Sequence, residues 1–124
     1  MSSGANLDVQ LAFSNNNTTA TITVPAIKEE GLYYLVARLY TSAGRIIIDQ
    51  VCWLEDNPVF EHHGRAAYIN DYSPVWTDIH YYFWVSPDGL KIVIQSAGAL
   101  NNSSISNRAQ VEITKIFGTS LLPS

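Results

Sequence analysis

The stretch that most restricts what this chain can become is Asp78 to Gln95, DIHYYFWVSPDGLKIVIQ. Its alternation puts Ile79, Tyr81, Phe83 and Val85 on one side of an extended segment and His80, Tyr82 and Trp84 on the other. Ser86-Pro87-Asp88-Gly89 follows as turn chemistry. Pro87 presets φ at a turn's second position, Asp88 can bond local backbone, and Gly89 takes positive φ without steric cost. The chain then returns through Lys91 to Gln95, with Ile92 and Ile94 opposed to Val93. Both faces of this hairpin therefore carry bulky apolar surface.

Other segments repeat the pattern. Asn6 to Phe13 alternates with Leu7, Val9, Leu11 and Phe13 on one face. Ser14 to Asn17 turns it, since asparagine tolerates left-handed backbone. Thr18 to Val24 sets Ala20, Ile22 and Val24 against threonines. Gly31 to Tyr40 alternates with neither face polar throughout, and the run of isoleucines in Arg45 to Trp53 suits a central strand covered on both sides. Ala66 to Asn70 reads as a short strand, and Gln110 to Phe117 as the last one. Val59 to Thr77 has the weakest periodicity, and Ser96 to Asn107 is polar loop. The expected fold is therefore all-β: one domain over residues 1–124, an antiparallel β-sandwich of about eight strands, with a jelly roll as its finer form. Residues 1–5 read as disordered or an expression remnant.

Hydrophobic residues make up 47% of the 124 and charged residues only 15%. Ordinary soluble domains carry about a quarter charged residues. With so few charges to cover its surface, the chain is expected to hide part of it against copies of itself. The net charge is −4. The basic residues Lys28, Arg38, Arg45, Arg65, Lys91, Arg108 and Lys115 are scattered, which argues against nucleic acid. No run approaches the ~20 apolar residues of a membrane span, so no membrane insertion is expected. MSSGANLDVQ lacks the basic-then-apolar order of a signal peptide. The Asn-x-Ser/Thr matches at 16–19 and 101–104 are read as polar loop tips.

Catalytic chemistry finds little support. The single cysteine, Cys52, lies in an apolar run and reads as a buried, inert thiol. Glu61-His62-His63, with His80 and Asp71, offers metal-binding residue types. Adjacent histidines in extended chain diverge, however, and the spacing matches no ligand motif, so no metal and no cofactor are expected. There is no nucleophile elbow and no phosphate cradle. Carboxylates at Glu55, Asp56, Glu61, Asp71 and Asp78 have no evident pairing for glycoside hydrolysis. The expectation is that the protein is not an enzyme and has no catalytic residues.

Aromatic residues are dense between Trp53 and Trp84. Rings stack on the apolar faces of sugars while Asn, Asp and Arg bond hydroxyls, as in concave sites with few polar groups. Trp53, Tyr81 and Trp84, within strands, read as packing. Tyr68, Tyr72 and Trp76, in the long connection, are the candidate glycan-binding rings, with Asp71 and Arg65 as polar partners.

The segment YYFWVSPDGLKIVIQSAGALNNSSISNRAQVEITKIFG, with its Ser-Pro-Asp-Gly-Leu hairpin, Asn/Ser loop and closing VEITKIFG, resembles the terminal domains of bacteriophage tail fibres and tailspikes. The resemblance covers Ile79 to Gly118 and carries no site motif. It implies a β-rich homotrimer at the fibre tip of the virion, assembled in the host cytoplasm, that binds host surface polysaccharide or drives trimer assembly. A stand-alone carbohydrate-binding module or lectin is the alternative.

Overall fold

A computed structural model describes residues 7–41, 44–56, 66–69, 80–95 and 107–118. Its strands are β1 (Gln10–Phe13), β2 (Thr19–Val24), β3 (Gly31–Thr41), β4 (Gly44–Leu54), β5 (Ala66–Ile69), β6 (His80–Ser86), β7 (Gly89–Gln95) and β8 (Arg108–Gly118). Among the described residues every regular element is a strand. Two antiparallel sheets form, ordered β1-β2-β7-β6 and β5-β4-β3-β8. The all-β, two-sheet expectation holds. The jelly-roll form is not clearly carried by this order, because sequence neighbours stay within a sheet as β1-β2, β3-β4-β5 and β6-β7. Only β2-β7 and β3-β8 join distant parts of the chain.

The inward faces follow the alternation. In the first sheet the rows Val85–Leu90–Val24, Phe83–Ile92–Ile22 and Tyr81–Ile94–Ala20 are register partners, and all nine residues are buried. The second sheet answers with Tyr33, Leu35, Ala37 and Leu39, Ile46, Ile48, Cys52 and Leu54, and Val111 and Ile113. Both sets belong to one hydrophobic cluster, so the sheets pack face to face in a sandwich-like arrangement. Each fully buried large side chain such as Phe83 or Ile22 contributes about 1.5–3 kcal/mol relative to exposure.

Polar bonds close the sandwich at its margins. The Leu7 amide donates to the Val111 carbonyl at 3.2 Å, joining the entry to β1 with edge strand β8. The Val85 amide of edge strand β6 donates to the Glu55 carbonyl, just past β4, at 2.6 Å. These bonds occupy edge groups that would otherwise invite another chain. They also explain why β1 begins at Gln10 rather than Asn6: Leu7 is spent on the opposite sheet. Inside, the Tyr81 hydroxyl donates to Gln50 Oε1 at 2.7 Å and spans the sheets.

The turns behave as their residues require. Asn17 has φ 61°, and Asn16 Oδ1 accepts from Ser14 Oγ and Thr18 Oγ1, both at 2.8 Å. In the β6-β7 hairpin the local bonds come from Ser86. Its hydroxyl accepts from the Asp88 amide at 3.1 Å and donates to the Gly89 carbonyl at 2.9 Å. Gly89 has φ 119°, and a Cβ there would lie 2.3 Å from the Val24 carbonyl oxygen. At the end of β8 the register with β3 shifts between Leu32 and Tyr33. Tyr33 then opposes Lys115 and Leu32 opposes Phe117, so Ile116 is the unmatched residue of a bulge and stands 41% exposed.

Candidate functional site

The outward faces of the two sheets differ in chemistry. On the second sheet the polar groups satisfy one another. The Tyr34 hydroxyl donates to Asp49 Oδ1 at 2.6 Å, Arg38 pairs with Glu112 at 2.9 Å, and the Arg108 guanidinium lies 4.4 Å from the centre of the Tyr40 ring. The bond to the Asp49 carboxylate holds the Tyr34 hydroxyl proton above its ordinary range. Large apolar surface is left over: Val51 is 53% exposed and Tyr34, its register partner, 41%. Among the outward-facing apolar residues of the two sheets, Val36 is buried, Ile47 and Trp84 are half-buried and Tyr34 is exposed.

The first sheet presents three outward rows. They are Trp84–Lys91–Thr23–Gln10, then Tyr82–Val93–Thr21–Ala12, then His80–Gln95–Thr19. Tyr82 and Trp84 share a face because they are two residues apart on β6. Their rings stack at 5.7 Å between centroids and 19° between planes, and both are half-buried. Beside this ring pair the floor is low: Val93 and Thr23, although outward-facing, are each only 5% exposed. Lys91 lies across that floor, its Nζ donating to Thr23 Oγ1 at 2.9 Å. The result is an aromatic wall along edge strand β6, a shallow step of small residues, and hydroxyl, amide, imidazole and ammonium groups around it. That arrangement can stack a ring and bond its hydroxyls.

Sequence reasoning had read Tyr81 and Trp84 as packing. Tyr81 is: it is 5% exposed, edge-on to Phe83 at 5.6 Å, and its hydroxyl is pushed up to about 12, chiefly by burial. Trp84 stands half-buried on the outward face, packed against the Tyr82 ring and outside the core. Among the residues proposed for the loop site, Tyr68 falls in β5 and pairs in register with the core residue Ile46. Arg65, Asp71, Tyr72 and Trp76 lie outside the described residues, as do His62 and His63. His80 is exposed at the end of the third row. Among the described residues no group of three or more His, Cys, Asp or Glu lies close enough to hold a metal ion. Cys52 is buried and its thiol is pushed up to about 12 by desolvation, which suits an inert side chain. Among the described residues no helix is long and apolar enough to cross a membrane.

Comparisons with protein-family models, with curated proteins and with solved structures each found no match.

Proposed function

We propose that this chain is a non-enzymatic receptor-binding and trimerisation domain, of the kind that ends phage tail fibres and tailspikes, and that it recognises host cell-surface glycan. The observation that carries the glycan reading is the Tyr82–Trp84 stack standing on a polar sheet face. The wall and step give a sugar ring something to lie against, and Gln10, Thr21, Lys91 and Gln95 supply hydroxyl partners. Tyr68, Asp71, Tyr72, Trp76 and Arg65 belong to the same reading as a second contribution expected from the sequence. Self-association is supported from the other sheet, where Tyr34, Val51 and Ile116 are exposed. An apolar surface of this kind on a chain with few charges is what a second copy would cover. A stand-alone carbohydrate-binding module would use the same ring pair, but it would leave those three residues unexplained. The domain then works at the tip of a virion fibre.

The test is a saccharide array probed with the wild-type protein and with a Tyr82→Ala/Trp84→Ala variant whose fold is checked by circular dichroism. Loss of the rings should weaken every bound saccharide by tenfold or more, which is about 1.4 kcal/mol. Undiminished binding by the folded variant would remove this face from the reading.

A further inference from the structure

The chain as a whole is acidic, with 11 Asp and Glu against 7 Lys and Arg. None of those carboxylates is in the first sheet. Strands QLAF, TATITV, HYYFWVS and GLKIVIQ contain no Asp or Glu, and their one fixed charge is Lys91. Lysines in sheets often serve to blunt an exposed edge. Lys91 has no such task, because β7 lies between β2 and β6. Among the described residues it is not paired with an acid either. The ion pairs among the described residues are Arg38–Glu112 and Lys115–Glu29, and Asp88 in the neighbouring turn does not pair with Lys91. The side chain is nevertheless held in place. Its ammonium donates to Thr23, a residue only 5% exposed, which uses one of its three donors. Its register partner on the other side is Trp84. A positive charge is thus fixed beside the ring pair on a face with nothing of opposite sign in its strands.

We infer that this face takes an acidic saccharide, with a sugar ring against Tyr82 and Trp84 and that sugar's carboxylate on Lys91. The inference rests on the glycan reading and deepens it by naming the charge class of the ligand. A neutral sugar offers the ammonium only hydroxyl acceptors, whereas a carboxylate gains a charge-assisted bond where water is already partly excluded.

The experiment uses the full chain and a saccharide panel in matched pairs: oligogalacturonates and oligoglucuronates, their methyl esters, and neutral dextran and galactan oligomers. The esters keep the ring and lose the charge. The expected result is that free acids bind about tenfold or more tightly than their esters, in line with the strength of charge-assisted bonds. Lys91→Met should abolish that preference, the free acid losing about tenfold more affinity than its ester, and Lys91→Arg should restore it. Raising salt should narrow the gap between acid and ester. Equal binding of acids and esters, or an acid preference that survives Lys91→Met in a folded variant, overturns the inference and leaves the glycan reading standing. Binding of no saccharide in the panel overturns both.

Discussion

Replacing Gly89 with alanine strikes the junction on which the first sheet is built. Two costs can be worked from the structure. The residue sits at φ 119°, where an L side chain is strained, by about 1–2 kcal/mol on the scale of left-handed backbone. The new Cβ would also meet the Val24 carbonyl oxygen at 2.3 Å, the Pro25 Cα at 2.7 Å and the Val24 carbonyl carbon at 2.9 Å. All three are backbone atoms that no rotamer change can move aside. Either the end of β2 or the turn must shift, and overpacking of that kind costs about 1–3 kcal/mol. Against this, alanine removes some freedom from the unfolded chain, a gain of about 0.4–1 kcal/mol. The net is a loss of about 1–5 kcal/mol. Urea unfolding followed by tryptophan fluorescence would read it as a fall in midpoint of about 0.5–2.5 M at a slope of about 2 kcal/mol per M. Asp88→Ala, at the exposed position one residue earlier, is the control and should stay within about 0.5 kcal/mol. A Gly89→Ala midpoint as close to wild type as the control's would refute the claim that this glycine is required by close approach to β2.

Alkaline pH should destabilise the protein through two core groups. Cys52 and Tyr81 are neutral when protonated, and burial pushes both up to about 12 in the folded state. Their contribution is intact below the unfolded thiol's range, near pH ~8.5, and is lost as pH rises toward 12. Urea midpoints measured from pH 7 to 11 should fall, and less steeply in Cys52→Ala. A flat profile would contradict the burial of these groups. Tyr81→Phe keeps the ring but leaves Gln50 Oε1 without the hydroxyl that bridges the sheets. It should cost about 1–2 kcal/mol in the same assay, and an unchanged midpoint would show the bridge to be idle. Sedimentation equilibrium at micromolar concentration should give three times the 13.7 kDa chain mass. Val51→Glu should shift the distribution toward monomer, while a monomeric wild type would remove the trimerisation part of the reading.

Much of the fold was legible because period-two alternation survives in nearly every strand. Alternation marked off a face within each strand, and Ile22, Phe83 and Ile92, one from each of three such faces, meet in one row. Two things escaped the sequence. Alternation separated Tyr82 and Trp84 from Tyr81 and Phe83 without saying which set faced the core, because both sets are bulky and apolar. That required a second sheet, whose Gln50 takes the Tyr81 hydroxyl. Lys91 looked like an ordinary solvated residue until strand order put β7 in the middle of its sheet. Part of the signal was present in the sequence: Thr18 to Val24 and Lys91 to Gln95 hold no acid in an acidic chain. The candidate loop residues Arg65, Asp71, Tyr72 and Trp76 sit where periodicity is weakest, so pattern reasoning had no register with which to place them.

The central claim is that the ring pair on the outward face of the first sheet is where a saccharide sits. The most direct measurement follows the three indole N–H resonances by NMR, assigned through Trp53→Phe, Trp76→Phe and Trp84→Phe, during titration with a saccharide that the array identifies. The Trp84 signal should shift in proportion to saturation while that of Trp53, on the opposite sheet, stays fixed. Movement of Trp53 with a stationary Trp84 would contradict the account.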